Sequence, residues 1–293
     1  MQEIDARCIF DGKATLGEGP AWIAESQRLI WVDIERHLIN RLDPATGKNE
    51  SWAVGCDVGF AVPDTSGNIV AGTRDGIIRL NTETGEITSV VDPESDIPTN
   101  RFNDGKCDPR GRIFGGSISY ERIVGDASLY RFDTDFQVEK VQDGITNSNG
   151  LTWSLDEKTF YYIDTPTRKV DAFDYDVETG AISNRRTVIN VPEDLGKPDG
   201  MTIDNEGMLW VCLWGGWGVT RWNPETAELI GKINLPCKNV TSCCFGGPNL
   251  DQLFISCART GLTAEELANQ PQAGSLFVAE PGVSGQAAVA FGG

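Results

Sequence analysis

Short runs rich in β-branched and aromatic residues, separated by Gly, Asp, Asn and Pro turns, recur six times along the chain at intervals of about 40 to 50 residues. Long helical periodicity is nearly absent. The second run of each unit reads Arg28 to Asp33, Asn68 to Gly72, Arg112 to Gly116, Thr159 to Asp164, Met208 to Cys212 and Gln252 to Ser256, and a third run follows each. Three near-identical turns, Pro44 to Gly47, Thr82 to Gly85 and Val177 to Gly180, lead into a fourth. Four-stranded units of this kind bury their faces only against their neighbours, so the repeat predicts an all-β, six-bladed β-propeller with four-stranded antiparallel blades. A surplus strand, Arg7 to Phe10, precedes the first unit and is expected to close the last blade. No linker-like composition divides the 293 residues, and residues 1–293 are read as one domain.

Polar residues fall in one register of the repeat. Glu18, Asn103, Asn149 and Asp199 each stand five positions before the turn that leads into the second strand. Blade two has Gly59 there, and blade six has a position near Ser242 in a less regular turn. Innermost strands of a propeller surround a central channel, so residues in equivalent register form a ring at one level of it. Two carboxylates and two amides on one axis repel and desolvate one another unless a cation neutralises them. Their hard oxygens suit Ca²⁺, Mg²⁺ or Mn²⁺. Taken singly, each residue is also an ordinary turn former.

Loops joining second to third strands rim the same face: Ile118 to Ala127, Pro166 to Arg168, Trp214 to Trp217 and Ala258 to Gly274. Thr263 to Leu267 carries a capping-box pattern and predicts a short helix. Arg101, two residues before Asn103 on the same side of an extended segment, is placed to reach substrate oxygens or to form a surface ion pair. Glu121 in the rim is a substrate contact or a solvated carboxylate. Trp214 and Trp217 form an aromatic wall or pack between blades.

The formal charge of −18, with a pI near 4.4, disfavours nucleic acid and anionic membrane surfaces as partners. The N-terminal residues show no secretory pattern and no run of about 18 apolar residues occurs, so cytoplasmic residence is expected. Eight cysteines without C-x-x-C spacing read as reduced, mostly buried thiols. One histidine, His37, and no G-x-S-x-G elbow leave no basis for Ser-His-Asp chemistry.

Five motifs, Leu16-Gly17-Glu18-Gly19-Pro20, Arg101-Phe102-Asn103-Asp104-Gly105, Ser148-Asn149-Gly150-Leu151, Pro198-Asp199-Gly200-Met201 and Cys244-Phe245-Gly246-Gly247-Pro248, make the sequence resemble the regucalcin/gluconolactonase family of senescence marker protein-like lactonases over almost its whole length. The resemblance implies one divalent cation, Ca²⁺ foremost with Zn²⁺, Mg²⁺, Mn²⁺ or Fe²⁺ as alternatives, held by Glu18, Asn149 and Asp199. It implies hydrolysis of a small sugar lactone to the aldonic acid; separately, a monomer or weak homo-oligomer is expected. Asn103 would lie near metal and substrate, Arg101, Asn103 and Glu121 would contact substrate, and Asp199 or a metal-bound hydroxide would activate water. Phosphotriester hydrolysis on the same ring and a non-catalytic calcium-binding propeller are the alternatives.

Overall fold

The structure, a computed structural model, describes residues 2–292. Six antiparallel sheets follow one another along the chain, each built from an inner strand outward. The inner strands are Gly17–Ile23, Val58–Pro63, Asn100–Cys107, Ser148–Trp153, Lys197–Ile203 and Val240–Gly246. They touch in cyclic order, the sixth returning to the first, which closes a six-bladed β-propeller around a central channel. Among the described residues helix is confined to short 3-10 turns and one α-helix, Ala264–Asn269, whose capping box between Thr263 and Glu266 forms as the sequence predicts.

The apolar residues explain the ring. Each of six buried clusters draws its members from two adjacent blades: Ile30 and Val32 meet Ile69 and Ala71 between blades one and two, and Trp22 and Leu29 meet Phe254 and Leu276 between blades one and six. No blade has a private core, so each is stabilised chiefly by its neighbours. All eight cysteines are free thiols, six of them fully buried in these clusters and inner strands.

Closure follows the sequence reading and adds to it. Arg7–Phe10 pairs antiparallel with Leu276–Ala279 and supplies the fourth strand of blade six. Immediately before it, Gln2–Asp5 pairs in parallel with Glu228–Asn234 and gives blade five a fifth strand. The N-terminal segment thus ties two blades together. At the other end of the chain, Asn205 N–H donates to Ser284 O, Gly285 N–H to Leu250 O and Phe291 N–H to Pro63 O, so the C-terminal segment runs across the base from blades five and six to blade two.

Turns at the base share one device. Asp64, Asp108 and Asp204 each accept backbone N–H groups two and four residues on, and each is paired with an arginine of its own blade: Arg79, Arg112 and Arg221. These residues close the turns from which the ring register was counted, so a common backbone geometry fixes that register.

Candidate metal centre

Each inner strand is irregular at the same height. Pairing with the second strand slips between Glu18 and Ala21, Val58 and Phe60, Phe102 and Asp104, Asn149 and Leu151, Pro198 and Met201, and Val240 and Cys243. A bulge re-aims the residues within it. Here it falls at the ring positions of all six blades.

Glycine at two places on the inner strands, one of them the blade-two ring position, is a steric requirement. A Cβ on Gly59 would stand 2.2 Å from the carbonyl oxygen of Phe102, so blade two leaves its ring position bare to admit blade three. Similarly, a Cβ on Gly150 would lie 2.6 Å from Asp199 O, which allows blades four and five to bring Asn149 and Asp199 together.

Glu18, Asn103, Asn149 and Asp199 are all buried. One Glu18 oxygen accepts the Gly19 N–H at 2.9 Å, and no hydrogen bond reaches the Asp199 carboxylate among the described residues. Asn149 Nδ2 donates to Thr165 Oγ1 at 2.8 Å, and Thr165 Oγ1 in turn donates to Pro198 O. With its NH₂ so held, Asn149 presents Oδ1 toward Asn103, whose Nδ2 lies 3.2 Å from it and also donates to Ser148 O at 2.7 Å. Asn103 Oδ1 accepts from Arg101 Nη1 at 2.8 Å. Three of the residues singled out from sequence, Arg101, Asn103 and Asn149, therefore form one hydrogen-bonded chain, to which Thr165, in the 3-10 turn Thr165–Thr167, is added as an orienting residue that spacing did not reveal.

Electrostatics mark the centre as short of positive charge. Burial, then the nearby Asp199 and Asp104 carboxylates, pushes Glu18 well above the usual carboxylate range. Burial and Asp104 do the same to Asp199. Asp104 is pushed up to about 6 by burial, partly offset by Lys106. A divalent cation is the kind of group that relieves such a set. Among the described residues no three His, Cys, Asp or Glu side chains gather closely enough to hold an ion by themselves. The residues that could hold one are the two buried carboxylates Glu18 and Asp199, with the Asn149 amide oxygen as a candidate third donor.

Other residues lie farther out. Glu121 is exposed in the loop after the strand Ile113–Ser119 and makes no hydrogen bond among the described residues. Trp214 packs, partly buried, against the cluster containing Leu16 and Ala258, whereas Trp217 is 43% exposed. Below the ring, a cavity of about 370 Å³ opens toward the base, bounded by Asp104, Lys106, Met201 and the C-terminal residues Gln286 to Val289; Glu18, Asn149 and Asp199 do not line it. No helix among the described residues is long and apolar enough to cross a membrane.

This arrangement has relatives. Residues 16–259 match the SMP-30/Gluconolactonase/LRE-like region. Regucalcin of Xenopus laevis is 40% identical over 299 residues, covering 100% of both chains. Among solved structures, a luciferin-regenerating enzyme superposes with a TM-score of 0.89 at 35% identity, covering 95% of this chain and 96% of that one. A calcium-binding protein, regucalcin, from Agrobacterium tumefaciens gives 0.94 at 26%, covering 99% and 98%. With the matched region containing all five motifs in full and the likeness to regucalcin running end to end, the chain belongs to the SMP-30/gluconolactonase/LRE-like family.

Proposed function

We propose that the chain is a metal-dependent hydrolase that opens a sugar lactone to its aldonic acid. The observation that carries this is the convergence of Glu18, Asn149 and Asp199 from three blades at one level of the channel, buried and short of a counter-charge, with Arg101 and Asn103 beside them. Family membership supplies the lactone class, and the relative described as calcium-binding puts Ca²⁺ first among candidate ions. When bound, the cation would polarise the lactone carbonyl and stabilise charge building on its oxygen.

The chain's own residues then account for the remainder. Asp199 takes a proton from the attacking water as the water oxygen bonds to the carbonyl carbon. The ring C–O bond breaks, and the leaving alkoxide receives that proton, which leaves the hydroxy acid. Arg101, whose Nη2 has no hydrogen bond among the described residues, and Asn103 orient the sugar hydroxyls, and Glu121 meets those nearest the mouth. Thr165 keeps the Asn149 oxygen, not its NH₂, turned toward the cation site.

An Asp199→Asn variant tests the assignment, because it preserves shape and removes the base. Folded Asp199→Asn protein is expected to hydrolyse aldono-lactones at least about 10³-fold more slowly than wild type, whereas Glu121→Gln should raise KM by about tenfold and keep kcat within threefold. Wild-type rates in the Asp199→Asn protein would remove Asp199 from its role.

A further inference from the structure

Side chains from three blades meet around Arg101. Its Nη1 donates to the Phe102 carbonyl oxygen at 2.9 Å and to Asn103 Oδ1 at 2.8 Å, which fixes one edge of the guanidinium. On the other edge Nε lies 3.6 Å from Asp57 Oδ2. The guanidinium lies over the Tyr120 ring, 5.9 Å from its centroid. The same Asp57 oxygen accepts the Tyr120 hydroxyl at 2.7 Å, and its second oxygen faces His37 Nε2 at 3.0 Å. Asp57 precedes the inner strand of blade two, Tyr120 follows the second strand of blade three, and His37 ends the 3-10 turn of blade one. This one carboxylate of blade two therefore has partners from both neighbouring blades, one and three.

Arg101 is only 7% exposed, and a buried guanidinium without a counter-charge is costly. The Phe102 carbonyl and the Asn103 amide provide acceptors but no charge. Asp57, itself 16% exposed, provides the charge and fixes the direction of the planar group. Tyr120 closes the other side of the guanidinium while its ring remains 46% exposed at the mouth. With Arg101 neutralised in this way, and with Glu18, Asp104 and Asp199 below, the guanidinium offers donors to neutral hydroxyls and no uncompensated charge of its own to a second anion, while the exposed Arg122 and Arg74 are the cations that act on this pair from outside.

We propose that Asp57 is a positioning and specificity-determining residue: it holds Arg101 against the substrate and, by cancelling its charge, makes the site select uncharged sugar lactones over phosphorylated ones. The choice of substrate rests on the lactonase reading; the Asp57–Arg101 geometry does not.

Asp57→Asn keeps the volume and an oxygen for Tyr120 but removes the charge. Two readouts separate the claims. On an aldono-1,5-lactone, Asp57→Asn is expected to raise KM about tenfold with kcat within about threefold, and the ratio of kcat/KM for the 6-phosphorylated over the neutral lactone should rise at least about tenfold. An unchanged ratio would overturn the selectivity. Independently of turnover, the Arg101 Nε–H signal in a ¹⁵N–¹H spectrum, assigned by its loss in Arg101→Lys, should be slow to exchange in wild type and shift and broaden in Asp57→Asn at unchanged Ca²⁺ affinity. The same signal in both proteins would overturn the positioning role. If wild type hydrolyses neither lactone, the lactonase reading and the selectivity fall together, and the arginine signal still decides whether Asp57 positions Arg101.

Discussion

A buried carboxylate whose desolvation is only partly offset by a nearby cation opposes folding, and Asp104, beside Lys106, allows that cost to be measured. Its pKa in the folded protein is pushed up to about 6 by burial, against roughly 3.9 when unfolded, so the folded state binds the proton more tightly. Stability is fully present below about pH 4 and falls as pH rises toward 6. In chelated protein, Asp104→Asn should therefore gain up to about 3 kcal/mol at pH 7 to 8 and nothing at pH 3, read from urea midpoints. An equal gain at both pH values would contradict the assignment. Thr165 provides the converse case, a neutral group that acts through a ligand. Thr165→Val should weaken divalent-cation binding about 10- to 100-fold in calorimetric titration with little change in melting temperature, because Asn149 Nδ2 loses its acceptor. At this scale the ring residues are legible in sequence, since their spacing from a turn is fixed. Asp57 and Tyr120 are not, because 63 residues separate them and only the juxtaposition of two blades makes them partners.

Within each blade the base turn sets the register, and the bulge at the other end uses it. Asp108 shows how firmly the turn is held: its carboxylate accepts from Arg112 Nε and from the Tyr175 hydroxyl of the next blade, both at 2.6 Å, besides two backbone N–H groups. Asp108→Ala leaves Arg112 buried without its partner and should cost about 3 to 5 kcal/mol of unfolding free energy. A loss below 1 kcal/mol would show that the turn holds without it. These turns are visible in sequence as Asp, Asn and Gly clusters. The bulges are less so, because a bulge is defined by the strand opposite. That is why Asp104 lies within a quoted motif yet acquires its place near Glu18 and Asp199 only when two consecutive residues, Asn103 and Asp104, both turn toward the channel.

For the whole molecule, closure is the property on which the proposed site depends, since its proposed ligands come from blades one, four and five. Arg7–Phe10 closes blade six as its β-rich surplus run predicts, but the parallel edge strand Gln2–Asp5 has no apolar pattern and gives no such signal. The C-terminal crossing beneath the channel is equally silent: backbone groups hold it together with scattered side-chain contacts, such as Phe291 on Phe136 and Asn205 on Ser284, that follow no strand period. Removing residues 2–10 should lower the melting temperature by at least about 10 °C and weaken cation binding together with it, because an opened ring spreads the ligands. Retained binding with lowered stability would separate the site from closure.

The central claim is that three residues of one register, Glu18, Asn149 and Asp199, hold a divalent cation and turn that site toward lactone hydrolysis. Its most direct test is the rate of aldono-lactone opening, followed by pH indicator and corrected for spontaneous hydrolysis, on chelated protein resupplied separately with Ca²⁺, Mg²⁺, Mn²⁺, Zn²⁺ and Fe²⁺. The account predicts negligible catalysis by the chelated protein, restoration by at least one ion, and no restoration in Glu18→Gln or Asp199→Asn. Cation binding without acceleration by any of the five ions would contradict the hydrolase and leave a calcium-binding propeller or a phosphotriester substrate to be tried.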